Sequence, residues 1–254
     1  MTSEPRTRRH RSAAEAEAFA LPADRLTWLI RASCGVGRVL FRCFTRVRVE
    51  GLDHVPGEGA LIIASNHASH ADPPLIHCWL VPALGRPIHW MAKAEVLEPP
   101  VAGWFFKQIG AFGIRRGAAD TEAFRLARSV LDDGRVMGAF PEGTRSQDGR
   151  MQTAKEGVAL LALRTGAPIL PVGCAGTHRL WPRGRTLWRF GGRVTLRVGE
   201  PFTVERRVLP DGRKETLEEV TERLMLRIAD LLPEDHRGVY GSRPIAAAGH
   251  VPGE

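Results

Sequence analysis

Short apolar runs recur through the middle of the chain and alternate with stretches whose apolar residues return every three to four positions. Residues 60–65, 88–91, 111–114, 136–140 and 168–172 are near-continuous apolar runs of strand length, which predicts buried strands. Helical spacing predicts helices over 73–84, 118–133 and 154–165, the last closed by Gly166 and Pro168. Near the end, Leu217, Val220, Leu224, Ile228 and Leu231 recur at helical spacing and predict an amphipathic helix packed on the sheet. Strand–helix alternation of this kind predicts an α/β fold: a single domain with a mixed, largely parallel central sheet flanked by helices. There is no internal repeat.

The stretch 26–44 has a different pattern. At about 100° per residue, Arg31, Arg38 and Arg42 fall on one stripe, with Leu29, Val36, Leu40 and Phe44 opposite. Two readings fit this pattern: a helix lying in a lipid interface, or a surface helix packed on its own domain. Gly35 and Gly37 are expected to weaken it and to break it into two arms.

With 254 residues and 43% hydrophobic content, the chain can bury a sizeable core. A net charge of +8 and a pI near 10.1 imply a polyanionic partner: cofactor phosphates, an anionic lipid surface or nucleic acid. Cys34, Cys43, Cys78 and Cys174 form no CxxC pair, which argues against a zinc ribbon or a disulfide scaffold and fits a reducing cytoplasm. The charged N-terminus lacks the apolar centre of a secretory signal, and no uncharged apolar stretch reaches about 18 residues, so no membrane crossing is expected.

Candidate chemistry begins after the strand at 60–65, where Asn66-His67-Ala-Ser-His70-Ala-Asp72-Pro73 places an imidazole and a carboxylate in a strand-to-helix turn. Turns of that kind are where α/β sheets bind ligands. An alcohol must lose its proton as it attacks an acyl carbon, and a neutral imidazole accepts it best near neutral pH, which makes His67 the candidate base. Asp72 is placed to fix the His67 tautomer; as Asp before Pro it also reads as a helix N-cap. His70 and His77 invite a metal reading, but no further ligand cluster follows and the spacing matches no familiar zinc pattern.

The strand at 136–140 runs into Pro141-Glu142-Gly143-Thr144-Arg145-Ser146, which fits either a phosphate cradle or a plain turn. Arg115, Arg116 and Lys93 also fall just beyond predicted strands, where converging cations would make an anion pocket. A nucleotide P-loop is absent from the sequence, and Gly35-Val-Gly37 lacks a third spaced glycine and a preceding strand.

Taken together, 66–73, Gly110-Ala-Phe-Gly-Ile-Arg-Arg116, Phe140-Pro-Glu-Gly-Thr-Arg-Ser146 and Ile169-Leu-Pro-Val172 resemble the four blocks of the glycerolipid acyltransferase family, nearest the 1-acyl-sn-glycerol-3-phosphate acyltransferase type with its HxxxxD motif. The likeness runs from about Val47 to Glu200. It implies direct attack by the acceptor's sn-2 hydroxyl, deprotonated by His67 and with Asp72 orienting the base, on an acyl-CoA or acyl carrier protein thioester. That donor is a substrate, so neither a cofactor nor a metal is implied. By the same carry-over Lys93, Arg116, Glu142, Gly143, Thr144 and Arg145 hold the acceptor's glycerol phosphate, with Glu142 positioning cations. Gly113 and Arg115 depart from the family's pattern and leave the identity of the acceptor open.

Composition predicts a disordered basic arm over 1–22 and a disordered tail over 236–254; between them the resemblance implies a membrane-docking helical segment over 23–45 and the catalytic domain over 46–235. The expected partners are a lysophospholipid and an anionic membrane, with the protein peripheral or monotopic on the cytoplasmic face of the inner membrane. Two alternatives stand beside this. One is acylation of another lysolipid or lipid headgroup. The other is a noncatalytic basic protein docking on membrane or nucleic acid through Arg179, Arg183, Arg185, Arg189, Arg193 and Arg197 with Trp181, Trp188 and Phe190. Nucleic acid is the less expected partner, because 193–198 alternates like a strand with one solvated face.

Overall fold

The computed structural model describes residues 25–114, 119–182, 184 and 187–241. The arm expected over 1–22 lies outside them. In chain order the elements are α1 (Trp28–Phe44), β1 (Arg46–Glu50), β2 (Leu61–Ser65), α2 (Asp72–Leu84), β3 (Ile88–Lys93), α3 (Ala94–Leu97), α4 (Pro100–Gln108), β4 (Ala111–Ile114), α5 (Ala119–Asp132), β5 (Val136–Ala139), α6 (Gly157–Thr165), β6 (Ile169–Ala175), α7 (Thr177–Leu180), β7 (Arg193–Val198) and α8 (Leu217–Ala229).

Seven strands form one sheet in the order β1-β7-β6-β2-β5-β3-β4. All neighbours are parallel except β6 and β7, so β1 and β7 run against the other five. The sheet is therefore mixed and mostly parallel, as its alternation with helices requires.

Every residue of β2 is buried, and its side chains divide between two cores with the period of two that a strand imposes. Leu61 and Ile63 join α1 and α2 on one face; Ile62 and Ala64 join α5, α6 and α8 on the other. A strand covered on both faces reads as an unbroken apolar run, which is why 60–65 stands out in the sequence.

α1 does not break at its glycines. Thr27 caps it by accepting the Ile30 amide through its hydroxyl, and Ile30, Cys34 and Phe41 are sealed against α2. Gly37 lets the two helices approach, because a Cβ there would meet the Cys78 Sγ. Arg38 does not lie on a solvated basic stripe; its Nε donates to the Cys78 carbonyl at 2.8 Å. The sequence of α2 supplies the reason. Pro82 lies inside that helix and has no N–H, so the carbonyl four residues earlier, that of Cys78, loses its helical donor and Arg38 replaces it.

The ordered body also runs past residue 235, contrary to the expected tail boundary. Turns over Glu234–His236 and Gly238–Tyr240 pack on the loop that follows β5. Met151 N–H donates to the His236 carbonyl, Val239 N–H to the Met151 carbonyl and Ala154 N–H to the Tyr240 hydroxyl. Residues 242–254 lie outside the described part.

Candidate active site

The site lies where β2, β5 and β3 end, at the carboxyl edge of the parallel strands. Asn66 extends β2 by pairing its side chain with the backbone of Cys174 in β6: its Nδ2 donates to the carbonyl at 2.9 Å and its Oδ1 accepts the amide at 2.8 Å. That buried pair fixes where the chain turns, and His67 is the next residue.

His67 Nδ1 lies 3.0 Å from Asp72 Oδ2, and Asp72 is fully buried. The same oxygen accepts the amides of Ala68 and Ser69, each at 2.7 Å. Asp72 is thus the first residue of α2 and turns its carboxylate back on the preceding loop; Ala71 takes the cap position. Because a carboxylate can only accept here, Nδ1 carries the hydrogen, and in the neutral ring Nε2 then has the lone pair. The ring stacks on Phe140 at 4.0 Å, and Phe140 stacks on Trp90 at 5.4 Å, so residues of three adjacent strands and their following turns contribute one stack of rings. With 17% of its side chain exposed, His67 is held but reachable.

The loop after β5 closes on His67 from both sides. Glu142 Oε1 accepts the His67 amide at 2.9 Å, and Ser146 N–H donates to the His67 carbonyl at 2.8 Å. The second oxygen of Glu142 accepts the Gln152 amide at 3.0 Å. Glu142 is 3% exposed, and burial pushes its carboxyl up to about 7, against the downward pull of these amide bonds. Its carboxylate staples two loops together; the sequence-based expectation of a cation-positioning role does not describe the bonds it makes.

Gly143 supplies the left-handed turn, with φ of 69°, and Gly143 and Thr144 are exposed at its tip. Arg145 is half-buried and close enough to His70 to hold that imidazole below its ordinary value, after partial burial as the larger cause. Lys93 ends β3 in register with Ile114 of β4; its side chain and the whole of Arg116 lie outside the described residues. The structure thus brings together His67, Asp72, Glu142 and the Gly143–Arg145 turn, of the residues expected from sequence.

His77 points elsewhere: it is buried in α2, where desolvation lowers its pKa to about 4. Among the described residues no group of three or more His, Cys, Asp or Glu side chains comes together that could hold a metal ion. Sequence reasoning missed Gln152 and the Asn66–Cys174 pairing: the latter joins residues 108 apart, and Gln152, ten residues after Glu142, sits in a loop with no periodicity to mark it.

A mostly parallel α/β sheet with a buried aspartate behind a histidine at its carboxyl edge, and a glycine-tipped loop across the opening, defines an enzyme of the glycerolipid acyltransferase class. The chain belongs to the acyltransferase family, whose model matches residues 46–175. It is similar to a 1-acyl-sn-glycerol-3-phosphate acyltransferase of Bacillus subtilis, 29% identical over 186 residues that cover 73% of this chain and 87% of that one. A chloroplast enzyme of the same description from Arabidopsis thaliana is 28% identical over 63% of this chain, which spans only 44% of that relative's length. The crystal structure of the 1-acyl-sn-glycerophosphate acyltransferase PlsC from Thermotoga maritima superposes with a TM-score of 0.66 at 29% identity, covering 80% of this chain and 78% of that one.

Proposed function

We propose that this protein transfers a fatty acyl group from an acyl-CoA or acyl carrier protein thioester to the sn-2 hydroxyl of 1-acylglycerol-3-phosphate, forming phosphatidic acid. The relatives named above are described as acyltransferases of that acceptor, and one observation supports the chemistry here: His67 has its Nδ1 3.0 Å from Asp72, which leaves Nε2 for the acceptor.

In this reading Nε2 removes the acceptor's proton as its oxygen attacks the thioester carbon; the imidazolium, stabilised by Asp72, then returns the proton to the departing thiolate. Direct transfer is favoured over an acyl-enzyme because the nucleophiles near His67 are engaged or sealed. Ser69 Oγ donates to the Trp181 carbonyl, and the Cys174 thiol is buried and pushed well up by desolvation. Arg145 and the Gly143–Thr144 turn, with Lys93 and Arg116, hold the acceptor's phosphate. Glu142 acts through the backbone of His67.

Attachment to an anionic membrane belongs to the same proposal. No helix among the described residues is long and apolar enough to cross a bilayer, and α1 leaves Trp28, Val36, Val39 and Leu40 exposed. A peripheral or monotopic seat fits that pattern, and we place it on the cytoplasmic face as part of the same proposal.

A thiol-release assay tests the proposal. His67→Ala is expected to lower turnover by about 10²- to 10⁴-fold while the thermal transition stays in place; retained turnover rejects the base assignment. Arg145→Ala is expected to weaken use of the phosphorylated acceptor by about 1.5 to 3 kcal/mol, with less effect on its unphosphorylated analogue. An equal loss with both acceptors contradicts the phosphate role.

A further inference from the structure

A second concave site lies on the same edge of the sheet as His67. β1 and β7 run against β6 and β2, so their first residues, the registered pair Arg46 and Arg193, stand at the end of the sheet where β2 leads into the active-site turn. With Arg42 from the last turn of α1 they line a cleft of about 420 Å³, together with Phe44, Phe190, Gly191 and Gly192. None of these three arginines has an ion-pair partner among the described residues. Three cations around one cleft repel one another, and a bound polyanion relieves that repulsion.

The cleft is joined to the active site by rings. Phe190 stacks on Phe44 at 4.4 Å; Phe44 meets Trp188 at 5.4 Å, Trp188 meets Trp181 at 5.6 Å, and Trp181 meets His70 at 5.3 Å. His70 and Phe190 are exposed, and the three rings between them are partly exposed, so the strip is open to a ligand lying along it. Followed from ring to ring, the path is about 20 Å. A pantetheine arm, roughly thirteen bonds from sulfur to phosphorus, extends to roughly 16 Å at ordinary bond lengths. An extended arm of that reach, laid along the strip from a thioester at His67, carries its pyrophosphate toward the arginines and its adenine toward the exposed face of Phe190.

We propose that the cleft between Arg42, Arg46 and Arg193 holds the phosphoadenosine end of a coenzyme A thioester, with the aromatic strip guiding the pantetheine arm to His67. This rests on the acyl-transfer reading above and deepens it by naming the donor class. Arginine forks suit phosphates, and an exposed ring stacks on any base, so each half of the ligand meets matching chemistry. An anionic lipid headgroup offers the phosphate without the base, and an acidic carrier protein does not offer the base.

The test compares wild type, Arg46→Ala/Arg193→Ala and Phe190→Ala using acyl-CoA and the matching S-acyl-pantetheine as donors. The expected result is a KM for acyl-CoA raised about tenfold or more, with kcat and the use of acyl-pantetheine unchanged, and competition by desulfo-coenzyme A in wild type only. Equal losses with both donors overturn the proposal. So does an unchanged acyl-CoA KM accompanied by lost sedimentation with phosphatidylglycerol vesicles, which marks a headgroup site, or a loss confined to acyl carrier protein, which marks a protein-docking face. If wild type turns over no thioester at all, the acyl-transfer reading fails instead; calorimetry with desulfo-coenzyme A then judges the cleft directly, and absence of heat overturns it.

Discussion

At Glu142, two demands meet on one side chain. Its oxygens accept amides from His67 and Gln152, which favours the carboxylate, while burial opposes the charge and wins, holding the group at about 7 against an ordinary 4.5. A carboxyl raised in the folded state adds stability that is complete below pH 4.5 and is lost as pH rises through about 7. Denaturation across pH 4 to 8 should show a fall of up to about 1.4 kcal/mol per pH unit from this group, and Glu142→Gln should abolish that component. The same variant offers one acceptor where two amides need one, so its activity should drop by about tenfold or more, the equivalent of one lost charged hydrogen bond. An unchanged turnover would mean that the staple does not position His67.

Between elements, the coupling of α1 to α2 rests on a missing donor. Arg38→Ala should cost about 1 to 3 kcal/mol, because the Cys78 carbonyl is then left without a partner. Pro82→Ala restores a backbone N–H four residues after Cys78, so Arg38→Ala should cost much less in that background. Urea denaturation of the four proteins measures the coupling, and strict additivity would refute it. The C-terminal turns act similarly on the loop after β5: by engaging Met151 and Ala154 they brace the segment that carries Gln152, and through it Glu142.

Across the whole molecule, α1 has two apolar faces with different work. Ile30, Cys34 and Phe41 belong to the core, whereas Val36, Val39 and Leu40 are 60%, 59% and 45% exposed. Removing the helix would therefore open the core as well as any lipid contact. Replacing Val36, Val39 and Leu40 by Ser separates the two: vesicle partitioning should fall by at least about tenfold, given the apolar area no longer buried in lipid, while the thermal transition holds. Unaltered sedimentation would place the membrane contact elsewhere, with the exposed Val101 and Trp104 of α4 as the next surface to test.

Local pattern determined much of this protein. The central strands β2 and β5 were legible because burial on both faces forbids polar residues, and the His67–Asp72 pair because both partners lie within one turn of chain. By contrast β1, Arg46-Val-Arg-Val-Glu50, went unread as an edge strand whose arginines break the apolar run. Helix α6 was expected from 154 but starts at Gly157, since the Ala154 and Lys155 amides are taken by Tyr240 and by the Pro141 carbonyl. Only the tertiary structure decided the staple at Glu142, the donor that Arg38 lends to α2 and the pairing of Asn66 with Cys174. The Arg38–Cys78, Asn66–Cys174 and His67–Glu142 bonds each join groups at least 40 residues apart. Periodicity constrains which face of an element is buried; which distant polar atoms then meet is settled by packing, where every buried donor must find an acceptor.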